Sequence, residues 1–172
     1  MVIWIIGLSA SGKSTLANEL ISKTREIGIK NVVLLDGDII RQLMGNDVDH
    51  SIDGRLKNAE RISLLSKFLS DQGLIVIAAV LSIFPEWQRW NRENIDDYFQ
   101  IHLDVTMDKL IERDPRSLYA SYIEGKINNV VGFDIPFPDP YMSDLVIDNN
   151  GDKPNFNREV EQVMLMAKIL DA

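Results

Sequence analysis

The chain has 172 residues, 45% of them hydrophobic and 26% charged, with no cysteine and a formal net charge of −8. Those values fit one domain with a real hydrophobic core and exclude disulfides and thiolate metal sites. They also argue against a surface that tracks nucleic acid, which needs a basic stripe. The apolar start Met1–Ile6 breaks at Gly7 and lacks a basic leader, and the longest apolar run, Leu74–Leu81, is far too short for a membrane helix of roughly 20 residues. A cytoplasmic protein that binds neither membrane nor nucleic acid is expected.

In chain order, Val2–Ile6 reads as a buried strand and Lys13–Ile27 as a helix. Asn31–Leu35 is a second strand, followed by a polar helical region with apolar residues at Ile62, Leu65, Phe68 and Leu69. Leu74–Val80 is a third strand, Pro85–Asp96 a Trp-rich helix, Tyr98–Val105 a fourth strand and Asp144–Asp148 a fifth. Phe156–Leu170 is a closing helix with Val160, Val163, Met164 and Ala167 on one side. Continuous apolar strands separated by helices imply a five-stranded parallel sheet covered on both faces, an α/β fold with ligands at the carboxyl ends of the strands. The stretch 113–140 interrupts the rhythm with Gly125, Gly132, Pro136, Pro138 and Pro140, and a polar loop of that length reads as a lid.

Between the first strand and first helix stands Gly7-Leu8-Ser9-Ala10-Ser11-Gly12-Lys13-Ser14, then Thr15, matching G-x-x-x-x-G-K-[ST] in the setting that motif requires. The glycines let successive backbone N–H groups face one phosphate, and the helix N-terminus adds partial positive charge. Lys13 can reach the β- and γ-phosphates of ATP and Ser14 can ligate Mg²⁺. A three-layer P-loop fold with an arginine-bearing lid is therefore expected. At the end of the second strand, Leu35-Asp36-Gly37-Asp38 offers two carboxylates, one to hold Mg²⁺ with Ser14 and one to take a proton from an attacking hydroxyl. Asp36 is assigned the metal and Asp38 the base, though the sequence allows them to exchange roles. No Asn-Lys dipeptide exists to read guanine, and the chain is too short for a motor or transport ATPase. A compact kinase acting on a small molecule remains.

The segments Gly7–Thr15, Leu35–Arg41, Arg55–Arg61, Gln72–Ser82, Glu112–Tyr119 and Gly132-x-Asp134-x-Pro136 together resemble the adenylylsulfate (APS) kinases over nearly the whole chain. The resemblance implies ATP, Mg²⁺, a homodimer, and transfer to the ribose 3′-hydroxyl of a nucleotide. It carries substrate contacts onto Arg41, Arg55 and Asn58, with Arg61 also matching, and ATP and lid contacts onto Arg113, Asp114 and Arg116, the last replacing the family's usual Lys. Lid Arg113 and Arg116 would stabilise charge on the transferred phosphate. The chain departs from the family where two phenylalanines clamp the substrate's adenine: His50 and Val130, followed by Val131, stand there, and the segment after the third strand reads Ser82-Ile83-Phe84-Pro85. Stacking contributes roughly 1–3 kcal/mol per base, so a changed acceptor is expected. The lid Asn128–Gly132 is similar to that of the cytidine diphosphoramidate kinases of capsule phosphoramidate synthesis. That acceptor is preferred over APS in sulfate activation, with a nucleoside monophosphate as a further alternative. Trp87, Trp90 and His102 are read as packing residues, with Trp87 or Phe84 against a base as the other reading.

Overall fold

The computed structural model describes residues 1–151 and 156–169. Its elements are β1 (Val2–Ile6), α1 (Lys13–Glu26), β2 (Val32–Asp36), α2 (Gly37–Leu43), α3 (Ile52–Asp71), β3 (Ile75–Val80), α4 (Pro85–Asn94), β4 (Tyr98–Asp104), α5 (Met107–Arg113), α6 (Leu118–Ile123), β5 (Leu145–Asp148) and α7 (Asn157–Met166). Leu170, placed at the end of the closing helix from sequence, lies outside the described residues.

The strands pair in the order β2-β3-β1-β4-β5, all parallel. Every residue of β1 and β3 is buried, which is why both strands are apolar throughout rather than alternating. Ile3, Ile5, Ile77 and Leu103 meet Leu16 and Leu20 of α1 and Val160 and Val163 of α7 on one face. Val2, Trp4, Ile6 and Val80 meet Ile40 of α2 and Ile62 of α3 on the other. The result is a three-layer α/β fold. Because the strands are parallel, the loops after β1, β2, β3 and β4 gather at one edge, where ligands bind in such sheets. No helix among the described residues is long and apolar enough to cross a membrane.

One expected helical region resolves into two helices, and the expectation of a loop at 113–140 needs correction. The polar region after β2 is two helices: Asp36 caps α2, accepting from the N–H groups of Asp38 and Ile39, and Ser51 caps α3, accepting from Gly54 N–H. The stretch 113–140 is not a structureless loop either. It contains α6 and a bridge between Val131 and Ile135, and carries its own apolar clusters, one around Leu110, Tyr119 and Val130 and one around Ile83, Val131 and Ile135. The apolar residues that close those clusters are spread over some 50 positions, so helical or strand periodicity could not reveal them.

Candidate active site

The phosphate loop is built by two glycines with different jobs. A Cβ on Gly7 would stand 2.5 Å from Ser11 Oγ and 3.1 Å from the Leu103 carbonyl, so only glycine lets the loop turn back on itself. Gly12 has φ +100°, in the left-handed region, and a Cβ there would meet Asn149 Nδ2 at 2.9 Å and the Phe156 ring at 3.1 Å. Gly12 precedes α1 without any side-chain cap, which leaves the helix's first N–H groups for an anion. Ala10 also lies in the left-handed region, with φ 63°.

Two side chains that sequence reasoning missed brace this loop. Asn149, just after β5, donates Nδ2–H to the Ser11 carbonyl at 2.9 Å, and buried Tyr119 of α6 donates its hydroxyl to the Ser9 carbonyl at 3.0 Å. Burial pushes the Tyr119 phenol up to about 12. A polar residue directly after an apolar parallel strand was the available signal for Asn149; Tyr119 carried none beyond its place in the lid. Lys13 donates Nζ–H to the Leu8 carbonyl at 2.6 Å. Burial brings its ammonium down to about 8, partly offset by Asp38 and Asp36. Ser11 Oγ is buried without a partner, while Ser14 and Thr15 open to solvent at the start of α1.

The two carboxylates after β2 differ in freedom. Asp36 uses Oδ1 to cap α2 and accepts from Ser14 Oγ–H on Oδ2 at 3.0 Å. That pairing brings one hydroxyl and one carboxylate together beside the phosphate loop, a set that fits Mg²⁺ when phosphate oxygens and waters complete the shell. No group of three or more His, Cys, Asp and Glu able to hold a metal occurs among the described residues. Asp38 instead projects into the open site and meets Arg116 Nη1 at 2.5 Å.

Arg41, Arg55, His50 and Asn58 stand on the α2–α3 side. Arg41 is 8% exposed and donates to the Asp49 carbonyl at 2.7 Å. Arg55 donates Nε–H to the His50 carbonyl and Nη2–H to the Asn129 carbonyl, both at 2.8 Å, tying this side to the lid. Asn58 donates to the Gly37 carbonyl at 3.3 Å and leaves its buried Oδ1 unpartnered. Partial burial, then the charges of Arg41 and Arg55, hold His50 below its ordinary value, so its imidazole is neutral near pH 7. Arg61 makes a two-pronged pair with Asp47 at 2.8 and 3.1 Å; Lys57 reaches the same carboxylate at 3.3 Å. Arg61 therefore grips the segment that carries His50.

The remaining expected residues sit elsewhere. Val130 and Val131, placed from sequence against a substrate base, are 1% and 4% exposed and fill the lid's own clusters. Ser82 accepts from Trp4 Nε1–H at 3.0 Å. Arg113 donates to the carbonyls of Asn149 (2.8 Å) and Gly151 (2.5 Å), while Asp114 accepts from the N–H groups of Leu118 and Ala120 and so opens α6. Trp87 and Trp90 pack on each other at 5.4 Å, and His102 packs on Phe137 at 5.9 Å.

Comparison with known proteins agrees with this arrangement. The family model described as adenylylsulphate kinase matches residues 1–148. A cytidine diphosphoramidate kinase of Campylobacter jejuni is 37% identical over 163 residues, 95% of this chain and 94% of that protein. An adenylyl-sulfate kinase of Bacillus pumilus is 36% identical over 149 residues, 86% of this chain and 75% of that one. The APS kinase of Mycobacterium tuberculosis, solved with AMPPNP and APS, superimposes with a TM-score of 0.86 at 28% identity, over 99% of this chain and 97% of that one. With a phosphate loop, an acid pair and a lid on the same edge of the sheet, the chain is an ATP-dependent kinase and belongs to the adenylylsulphate kinase family.

Proposed function

We propose that this kinase transfers the γ-phosphate of ATP to the ribose 3′-hydroxyl of a small nucleotide, with cytidine diphosphoramidate the preferred acceptor. The observation that carries the first half is the convergence of Lys13, Asp38 and Arg116 at the mouth of the phosphate loop. In-line phosphoryl transfer asks the protein for position and charge rather than covalent chemistry. Backbone N–H groups of residues 7–14 hold the phosphates, and Lys13 exchanges its bond to the Leu8 carbonyl for phosphate oxygens. Ser14 and Asp36 would hold Mg²⁺, which draws charge from the β- and γ-phosphate oxygens. Asp38 accepts the proton of the acceptor hydroxyl. Arg41 and Arg55 offer planar guanidinium groups to the acceptor's phosphate side.

The acceptor preference rests on the absence of an aromatic clamp. His50 stands in one clamp position, and Val130 in the other is 1% exposed, so neither offers a ring face of phenylalanine type to adenine. The 37% identity to the Campylobacter jejuni protein along both chains supports the cytidine compound. APS is the second reading, supported by the family model and the Mycobacterium tuberculosis neighbour. ADP release with MgATP and APS, cytidine diphosphoramidate, CDP, CMP or AMP, each against a no-acceptor blank, separates them. The expected kcat/KM favours cytidine diphosphoramidate by at least about tenfold, equivalent to about 1.4 kcal/mol. Equal or better use of APS at low micromolar concentration would reject it, and turnover of CMP or AMP alone would point to a nucleoside monophosphate kinase.

A homodimer belongs to the same proposal. Leu165 and Met166 of α7, beside Ile27 after α1, expose 65%, 44% and 44% of their surface and offer an apolar face for a second copy. Light scattering at micromolar concentration should give twice the 19.5 kDa chain mass.

A further inference from the structure

We infer that Arg116 is a specificity residue that favours the acceptor hydroxyl over water, by occupying Asp38 until the acceptor displaces it. The inference rests on the assignment of Asp38 as the proton acceptor.

The geometry begins in the lid. Asp114 receives the N–H groups of Leu118 at 2.8 Å and Ala120 at 3.0 Å, which fixes the turn 114–117 at the start of α6. Three residues beyond Arg116, the buried Tyr119 hydroxyl fastens α6 to the Ser9 carbonyl of the phosphate loop. The turn that carries Arg116 is thus held over the site by two independent anchors, and its guanidinium reaches Asp38 at 2.5 Å across 78 positions of sequence. Among the described residues Arg116 is the ion-pair partner of Asp38, whereas Asp36 is engaged by α2 and by Ser14.

Asp38 Oδ2 accepts from the guanidinium, so that oxygen is already occupied until something draws Arg116 away. Water entering a site with ATP bound therefore finds the base engaged. Hydrolysis would form a bond between the water oxygen and the γ-phosphorus. The bond to the β,γ-bridging oxygen would break with ADP keeping the electron pair, and a water proton would pass to Asp38. Transfer is the same displacement with the acceptor's 3′-hydroxyl in place of water. The pair is 70% exposed on the arginine side and 51% on the aspartate side, so it exchanges readily. A nucleotide brings both a hydroxyl donor for Asp38 and anionic oxygens for Arg116; water brings no charge with which to draw the guanidinium away. Once displaced, the guanidinium is free to move to the phosphoryl group in flight.

The test measures ADP release with MgATP in the absence of acceptor. Arg116→Gln should raise this blank by about two- to fivefold, the range an exposed ion pair can hold back and a small part of the roughly 100- to 10,000-fold that a positioned base contributes, while lowering acceptor-dependent turnover. Arg116→Lys, which keeps a cation, should hold the blank low. The double variant Arg116→Gln with Asp38→Asn should return to the wild-type blank. A blank that stays level or falls in Arg116→Gln overturns the inference, as does a double variant whose blank remains high. Failure of the underlying assignment reads differently: Asp38→Asn alone would then keep full acceptor-dependent turnover.

Discussion

Replacing Gly12 by Ala tests whether the phosphate loop is a shaped cradle or merely a flexible turn. The substitution meets two costs. At φ +100° a residue with a side chain is strained, an effect on the order of 1–3 kcal/mol. The new methyl also stands 2.9 Å from Asn149 Nδ2 and 3.1 Å from the Phe156 ring, which is 1% exposed and has nowhere to move. Asn149 must therefore give way and release the Ser11 carbonyl, a bond that contributes about 1 kcal/mol. Together these amount to about 2–4 kcal/mol, set against a total stability of roughly 5–15 kcal/mol for a domain. Urea unfolding followed by fluorescence of the three tryptophans gives the loss directly, and the melting midpoint should fall by roughly 4–16 °C. Gly28→Ala is the control: φ there is +95°, but nothing lies within 4 Å, so only the backbone strain applies. The KM for ATP should rise at least about tenfold in Gly12→Ala, since the lost fit is to phosphate, and stay unchanged in Gly28→Ala. A Gly12→Ala protein no less stable than Gly28→Ala, with normal KM, would refute the cradle argument.

Tyr119→Phe removes the hydroxyl that holds α6 to the Ser9 carbonyl; a loss of about 1 kcal/mol should lower the midpoint by roughly 2–4 °C in differential scanning calorimetry and raise the KM for ATP. For Lys13, the empty protein holds the ammonium down to about 8, so ATP, which needs it charged, should bind more weakly as pH rises past about 8, by at most about tenfold per unit; Lys13→Arg should remove that slope in equilibrium titration. The same shift makes the ligand-free protein gain stability as pH rises from about 8 to 10.5, where the unfolded chain still holds the proton that the folded chain has released. Arg61→Met and Asp47→Ala should each raise the acceptor KM and leave the KM for ATP alone, because both loosen the segment that carries His50; normal acceptor kinetics in Asp47→Ala would show that Arg61 touches the substrate itself.

The parts of the molecule readable from sequence are those whose cause is local. Residues 7–14 specify their own turn through two glycines, and β1 and β3 announce complete burial by lacking any polar position. Asp36 and Asp38 follow from their place after a strand. Arg113 shows where that reasoning stops. Its charge and its place in the lid argue for phosphate, and nothing in the sequence shows that the Asn149 and Gly151 carbonyls, 36 and 38 positions away, receive it in the ligand-free chain. A guanidinium goes to the strongest acceptors within reach, and which acceptors are within reach is decided by packing. Val130 obeys the same rule: a valine in a polar lid gives no sign that Val105, Leu110 and Tyr119 will close around it.

The acceptor's base is hard to read for a related reason. The segment 47–51 is held through its main chain, with Arg41 on the Asp49 carbonyl and Arg55 on the His50 carbonyl, and through the Asp47 carboxylate, which Arg61 and Lys57 grip. None of those bonds uses the His50 side chain. His50 could thus replace an aromatic residue while the arginines around it stayed as they are in the family pattern. Under the proposed function, the arginines that face phosphate and the residue that faces the base answer to different constraints. A family can then retain its transfer chemistry while its members diverge in the nucleotide they phosphorylate.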